Sequence, residues 1–247
     1  MNISIEQVAS QYRGIRCNHI AKGLADLLRE AKANEVSYLA FAEVLVAHEQ
    51  QQRNQRRITL NRRKARFPVD KRLAEFDYRH QTTITKRQVN QLLDFRFIDE
   101  RANLVFIGPP GVGKTHLAIG IGQEAVDAGY KVLFTTALAL VEKLELAEIK
   151  GELKQQITAL QKFDLLIIDE LGYLPMNRQA RYNLFQLVNA LYEYRSVIIT
   201  TNKEFTAWGE FFHDDNVAVP IVDRLIHHSH IFMLGGESYR LKQKRQR

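Results

Sequence analysis

Hydrophobic and polar positions follow two different rhythms along this chain. Up to about residue 75 the apolar positions recur at helical spacing. Ile15, Ile20, Leu24, Leu27, Leu28 and Ala31 mark a helix over Ile15–Ala33. Ser37 is placed to cap a second helix beginning at Tyr38, whose stripe runs through Phe41, Ala42, Leu45 and Val46. Past Glu49 the stripe stops and the pattern turns polar and basic until Pro68, which should end the helix. A helix of about thirty residues is roughly 45 Å long. Its first half can join a small bundle, and its second half has little to bury and would project as an arm. Phe67–Thr85 reads as a linker anchored by Leu73, Phe76 and Tyr78, and Thr85–Phe97 as a helix leading into the rest.

From about residue 100 short apolar runs alternate with amphipathic stretches. The runs Leu104–Ile107, Val132–Phe134, Leu165–Ile168, Val197–Thr200 and Ile231–Leu234 predict five strands. The intervening stretches predict helices at His116–Ala128, Leu138–Leu146, Leu153–Leu160, Arg178–Tyr192 and Ala218–His227, with Gly129 and Gly151 as stops. Such alternation predicts an α/β fold with a five-stranded parallel, doubly wound sheet, preceded by a small all-helical N-terminal domain.

Composition narrows the setting. With 247 residues, 45% of them hydrophobic, the chain can bury a sizeable core. No apolar run approaches the roughly twenty residues of a membrane span, and the opening Met1–Glu6 does not resemble a signal peptide. Cys17 is the lone cysteine, which suits a reducing cytosol. The net charge of +7 points toward polyanions. The excess is concentrated in Arg53, Arg56, Arg57, Arg62, Arg63, Lys64, Arg66, Lys71 and Arg72, opposed only by Asp70. A solvated helix face normally mixes signs; this one does not, which favours duplex DNA or another nucleic acid held through its phosphates.

The most specific chemistry lies between the first strand and its helix. Gly108-Pro109-Pro110-Gly111-Val112-Gly113-Lys114-Thr115 fits the phosphate-binding loop pattern. Glycines there let the backbone curl its N–H groups toward phosphate oxygens, and the helix N-terminus adds its positive dipole end. Lys114 would reach the β- and γ-phosphates of ATP, and the Thr115 hydroxyl would ligate Mg²⁺. The third strand ends in Asp169-Glu170. Asp169 would hold Mg²⁺ through water, and Glu170 would polarise the water that attacks the γ-phosphate. Asn202, at the end of the fourth strand, could orient that water or the phosphate. Asn202-Lys203-Glu204-Phe205 half-matches the guanine reader Asn-Lys-x-Asp, but Phe205 stands where the acid belongs, which argues against GTP. Arg224 is, on position alone, an ion-pair partner for Asp223 or Glu204. His213, His227, His228 and His230 lack the cysteine or acid spacing of a metal site.

Several blocks together resemble the IstB family, the ATP-binding helper proteins of a bacterial insertion-sequence family. They are the loop continued as His116-Leu117-Ala118, the strand ending Asp169-Glu170-Leu171-Gly172-Tyr173, and Trp208-Gly209-Glu210-Phe211-Phe212. Asp223-Arg224-Leu225-Ile226-His227-His228 and Ser238-Tyr239-Arg240-Leu241-Lys242 complete the set, with Ala65-Arg66-Phe67-Pro68 and the basic arm. The resemblance implies an AAA+ ATPase related to bacterial DnaC-type helicase loaders, assembling with ATP on duplex DNA and directing a partner transposase at the target. It implies a bacterial cytosol and a place close to the nucleoid. It implies that Arg224 is an arginine finger reaching a neighbour's ATP in a head-to-tail ring or helix. Arg240 matches the position of a second sensor arginine, although thirteen residues after Leu234 leave no room for the helical lid that usually carries one. Phe76 and Tyr78 sit where related ATPases place an adenine wall, and His116 joins the nucleotide-binding set. The expected division is a helical DNA-binding and assembly domain at 1–68, a linker at 69–84 and the ATPase domain at 85–247. Competing readings are a helicase loader in replication, a P-loop kinase for a small metabolite, and a DNA scaffold using ATP only as a structural ligand. The adjacent acids argue against the last two.

Overall fold

The computed structural model describes residues 3–172, 176–204, 207–208 and 215–245, with the backbone alone at 215–218 and 243–245. Tyr173, Phe205, Gly209–Phe212 and His213, named above, lie outside the described residues. The chain divides into two compact units, one up to Leu60 and one from Asn61 onward.

The first unit holds α1 (Ile5–Gly14), α2 (Asn18–Ala33) and most of α3 (Tyr38–Ala65). The helix expected to begin at Ile15 begins at Asn18 instead, and a separate helix precedes it. Ser4 and Gln7 form a reciprocal capping box that starts α1. Arg16 at φ +62° then breaks the chain between α1 and α2. Ile15, read as part of the stripe, is 68% exposed at this junction. Ser37 caps α3 as expected, its Oγ accepting the Ala40 N–H at 3.3 Å. Ala9, Ile20, Ala21, Leu24 and Leu45 form the small core, edged by Tyr12, Leu27 and Phe41.

One carboxylate ties this unit together. Cys17 gives α2 no side-chain cap. Glu49 of α3 replaces it by accepting the N–H groups of His19 (2.9 Å) and Ile20 (2.8 Å). Arg53 Nε donates to the other Glu49 oxygen at 2.7 Å. Burial pushes the Glu49 carboxyl upward, but the bonds from Ile20, Arg53 and His19 outweigh it, and its pKa lies below the ordinary 4.5.

In the second unit the last turn of α3 docks against the α/β fold. Asn61 is buried and donates to the carbonyls of Gly129 and Tyr130, and Arg62 pairs with Asp127. The segment 69–84, expected as a linker, packs within this unit: the Arg72 carbonyl meets His116, and Gln81 donates to the Val112 and Gly235 carbonyls. The helix expected over Thr85–Phe97 is broken. Thr85 caps α4 (Lys86–Gln91), a 3-10 turn follows at Leu92–Asp94, and Phe95 at φ +58° redirects the chain into α5 (Arg96–Asp99).

The remaining elements alternate as the pattern predicts: β1 (Asn103–Ile107), α6 (Lys114–Asp127), β2 (Val132–Thr136), α7 (Ala137–Ile149), α8 (Leu153–Leu160), β3 (Leu165–Leu171), α9 (Arg178–Leu191), β4 (Ser196–Thr201), α10 (Asp215–Ile226), β5 (Ser229–Met233) and α11 (Tyr239–Arg245). The five strands form one parallel sheet in the order β2-β3-β4-β1-β5. Val105, Leu166, Ile168, Val197 and Ile199 face a core completed by α7, α8, α9 and α10. On the opposite face Ile167 presses on Gly122 of α6, where an added Cβ would come within 2.5 Å. Strand β5 begins two residues before its apolar run. As an edge strand it leaves Ile231 and Met233 about half exposed, so its true start carries little hydrophobic signal. The insertion of β4 between β1 and β3 matters most for the site, because it separates the phosphate loop from the acidic strand end.

Glu49→Gln should destabilise the protein by about 1–3 kcal/mol near neutral pH, since a buried and a part-buried N–H lose a charged acceptor. Because the folded pKa is lowered, this contribution is complete above the unfolded value near 4.5 and fades as pH falls through the folded pKa. Urea melts of parent and variant should therefore differ at pH 7 and converge in acid; a gap that persists would remove Glu49 from this role.

Candidate nucleotide site

The loop leaves β1 at Gly108 and enters α6 at Lys114. Gly111 at φ +85° and Gly113 at φ +101° give it the left-handed turns that any side chain would strain. At Gly113 the reason is also steric, because a Cβ would lie 2.6 Å from the Phe76 ring. Lys114 is buried and folds back on the loop, donating to the carbonyls of Gly108 (2.7 Å) and Pro109 (2.8 Å). Its burial lowers the ammonium pKa; Asp169 and Glu170 oppose that shift and Arg240 adds to it. An ammonium held on neutral carbonyls beside carboxylates is a cation prepared to exchange those contacts for an anion.

Asp169 is buried on β3 and reaches across β4. Its Oδ1 accepts the hydroxyls of Thr115 (2.9 Å) and of Thr200 (2.5 Å). Next to it the strand bulges: Ile168 pairs with Ile199 and Leu171 with Thr201, so β3 carries an extra residue. Glu170 takes up the slack at φ +62°, and its exposed side chain lines the cleft over the loop. In a regular strand successive side chains face opposite ways. The bulge lets two neighbours serve one site.

The cleft has a volume of about 440 Å³. Besides the loop, Phe76, Gln81, His116, Thr200, Tyr239 and Arg240 line it. Phe76 stacks edge-on to His116 at 5.3 Å and to Tyr78 at 4.7 Å, so Tyr78 backs the wall without itself lining the cleft. The start of α11 closes the far side, where the Tyr239 N–H bonds the Gly111 carbonyl at 3.0 Å. Sequence reasoning missed Gln81, which follows no motif, and quoted Tyr239 only within the block Ser238–Lys242, with no role at the cleft. Thr200 entered only as the last residue of the fourth predicted strand. A threonine inside an apolar strand, two residues before a turn, was the available signal.

Asn202 follows β4, and its Oδ1 is buried with no hydrogen-bond partner among the described residues. Arg224 is not brought to the cleft. It lies beside Asn103 and Val197 at the opposite end of the sheet, with its guanidinium 5.4 Å from the Phe185 ring centre and 5.9 Å from that of Tyr192. Its Nη1 donates to the Pro220 carbonyl, and it forms no ion pair with Asp223 or Glu204.

The basic residues of α3 divide into two sets. Arg53 is held by Glu49 and Arg62 by Asp127. Among the described residues Arg57 meets only the Asn54 amide oxygen; Arg56, Arg63 and Lys64, and Arg66 just past the helix end, are exposed.

A parallel sheet of this order, with a phosphate loop after β1 and paired acids at the end of β3, defines a P-loop nucleotide-binding protein of the AAA+ kind. The chain belongs to the IstB-like ATP binding protein family, whose profile matches residues 10–247. A Pseudomonas aeruginosa protein, named for ATP binding and for insertion sequence IS21, is 41% identical over 94% of this chain and 88% of its own length. Among solved structures, AMPPCP-bound DnaA from Aquifex aeolicus shares the fold with a TM-score of 0.56 at 18% identity, over 72% of this chain and 54% of that one. The DnaC helicase loader shares it with a TM-score of 0.50 at 22% identity, over 61% of this chain and 92% of that one.

Proposed function

We propose that this protein is a Mg²⁺-dependent ATPase that assembles on duplex DNA and helps a partner transposase select or act on its target, working in the bacterial cytoplasm. The observation that carries the ATPase part is the bulge that turns Glu170 into the cleft over Lys114. A carboxylate aimed at that position has no use in a protein that only stores nucleotide.

The donor set fits the expected ligands. Loop N–H groups and Lys114 suit phosphates, and the Thr115 hydroxyl beside the Asp169 carboxylate offers hard oxygen donors of the kind Mg²⁺ takes. When bound, Mg²⁺ neutralises phosphate charge. Lys114 exchanges its carbonyl contacts for β- and γ-phosphate oxygens. Phe76, backed by Tyr78 and His116, covers the base. Glu170 polarises the attacking water, and the Asn202 side chain, whose Oδ1 has no hydrogen-bond partner among the described residues, contacts that water through Oδ1 or the γ-phosphate through its amide N–H. Arg240, lining the cleft, adds positive charge near the phosphates.

Arg224 serves a neighbour in this account. Its place at the far end of the sheet, with no acidic partner among the described residues, supports a role in trans rather than in its own cleft. Head-to-tail contacts of that kind build rings or open helices. Family membership supports the transposase as partner, and the exposed set Arg56, Arg57, Arg63, Lys64 and Arg66 supports phosphate contacts to DNA. No helix among the described residues is long and apolar enough to cross a membrane.

Lys114→Ala should weaken ATP binding, whereas Glu170→Gln should bind ATP normally and fail to hydrolyse it. Labelled-nucleotide binding and phosphate release separate the two, and normal turnover by the Glu170 variant would remove it as the base.

Replacing Arg56, Arg57, Arg63 and Lys64 by Gln should lower the salt slope of DNA affinity by about three to four units, with little dependence on sequence. An unchanged affinity and slope would return α3 to a solvated face.

Arg224→Ala should bind ATP and hydrolyse it about 10³-fold more slowly or worse. Mixed with Lys114→Ala, it should recover activity where an intact cleft meets an intact arginine. No recovery across mixing ratios, with mixed assemblies verified by pull-down, would end the trans assignment.

A further inference from the structure

Thr200 is buried in the middle of the sheet, yet its hydroxyl is committed on both sides. It donates to Asp169 Oδ1 at 2.5 Å and accepts the Glu170 N–H at 2.9 Å. The second bond matters because of the bulge. An extra residue in β3 leaves one N–H without its ladder partner, and a buried N–H left unpaired is costly. Thr200 supplies the missing acceptor from a side chain. Glu170 meanwhile sits at φ +62°, a backbone region that a side chain as large as glutamate occupies only when its surroundings hold it there.

The two acids are thus oriented by one atom. The hydroxyl has a single proton, and the bond to Asp169 uses it, so the lone pairs face the Glu170 N–H. Asp169 Oδ1 in turn takes the Thr115 hydroxyl, which carries the same fix across to α6. From this geometry we infer that Thr200 is a positioning residue: its hydroxyl holds the bulge that aims Glu170 into the cleft and fixes the Asp169 oxygen that faces Thr115. It acts through Asp169 and Glu170, the two partners of its hydroxyl. The inference rests on the hydrolytic role proposed for Glu170, but it also makes a claim about Mg²⁺-linked binding that does not require turnover.

Three variants of the full chain test it. Thr200→Val keeps the shape and removes the hydroxyl, Thr200→Ala leaves a small void instead of a misfit, and Thr200→Ser keeps the hydroxyl. Each is read for thermal stability, for affinity toward a fluorescent ADP analogue with and without Mg²⁺, and for kcat and KM of ATP hydrolysis. Thr200→Val and Thr200→Ala should bind the analogue without Mg²⁺ within about twofold of the parent. The gain in affinity on adding Mg²⁺ should shrink, and kcat should fall about 10- to 100-fold with KM little changed, as for lost outer-sphere partners. Thr200→Ser should restore both. Parent-like kcat and Mg²⁺ response in the valine and alanine variants would overturn the assignment. So would equal losses in all three, which would make the methyl packing decisive, or failure of both hydroxyl-free variants to fold, which would make the hydroxyl a structural requirement. Should the parent itself not hydrolyse ATP, the proposed activity fails, and the Mg²⁺ response alone decides the role of Thr200.

Discussion

The contact on which the site depends is the bond between Asp169 and the Thr115 hydroxyl. It spans a sheet in which β4 separates the loop strand from the acidic strand. Without it, the loop at the end of β1 and the acids at the end of β3 would be positioned by separate parts of the fold. With it, the first turn of α6 and the end of β3 are tied directly to each other. The same oxygen takes the Thr200 hydroxyl, so all three elements meet at one atom. Such a buried carboxylate is tolerable because hydroxyl donors offset its desolvation.

Around that point the cleft is built from segments far apart in sequence. Gln81 donates to carbonyls of Val112 in the loop and Gly235 after β5, and Tyr239 donates its N–H to Gly111. His80 Nε2 also meets the Glu237 carbonyl at 2.9 Å. The stretch before β1 and the stretch after β5 therefore grip the loop and each other. A nucleotide that reshapes the loop acts on both at once, since the bonds run through loop backbone rather than adaptable side-chain tips. Gly111 makes the grip possible: a Cβ there would lie 2.1 Å from Ser238 Oγ.

Much of this was legible in the sequence, and the parts that were not share a cause. Strand and helix alternation, the phosphate loop and the Asp169-Glu170 pair come from local patterns that periodicity and motif spacing report. Arg16 and Phe95 escaped because each breaks a helix through a positive φ at an ordinary residue, where no glycine or proline gives warning. The bulge escaped because it depends on register against β4, which Leu165–Leu171 does not encode alone. Glu49 escaped for a related reason. Its role as the cap of α2 is a contact thirty residues away, invisible to any helical stripe. Arg224 shows the opposite case: local sequence offered Asp223 as a partner, and the fold placed aromatic rings there instead.

The basic run of α3 shows how a charge count misleads when packing is ignored. Residues seven apart on a helix lie on nearly the same side. Arg56 thus aligns with Arg63, and Arg57 with Lys64. Asn61 and Ala65, both buried, mark a different side, and Arg62 adjoins it in contact with Asp127. The helix needs that docked side to end against the nucleotide-binding fold, so Arg62 is an anchor despite sitting among its neighbours in sequence. Arg53 is similarly spent on Glu49. Arg72 pairs with Asp70 at 3.0 Å and approaches Asp127 at 3.7 Å. What remains exposed is two adjacent rows, Arg56 with Arg63 and Arg57 with Lys64, that pair with no acid among the described residues. Those rows follow from where the helix must be buried: the docking contacts decide which arginines are left to meet solvent.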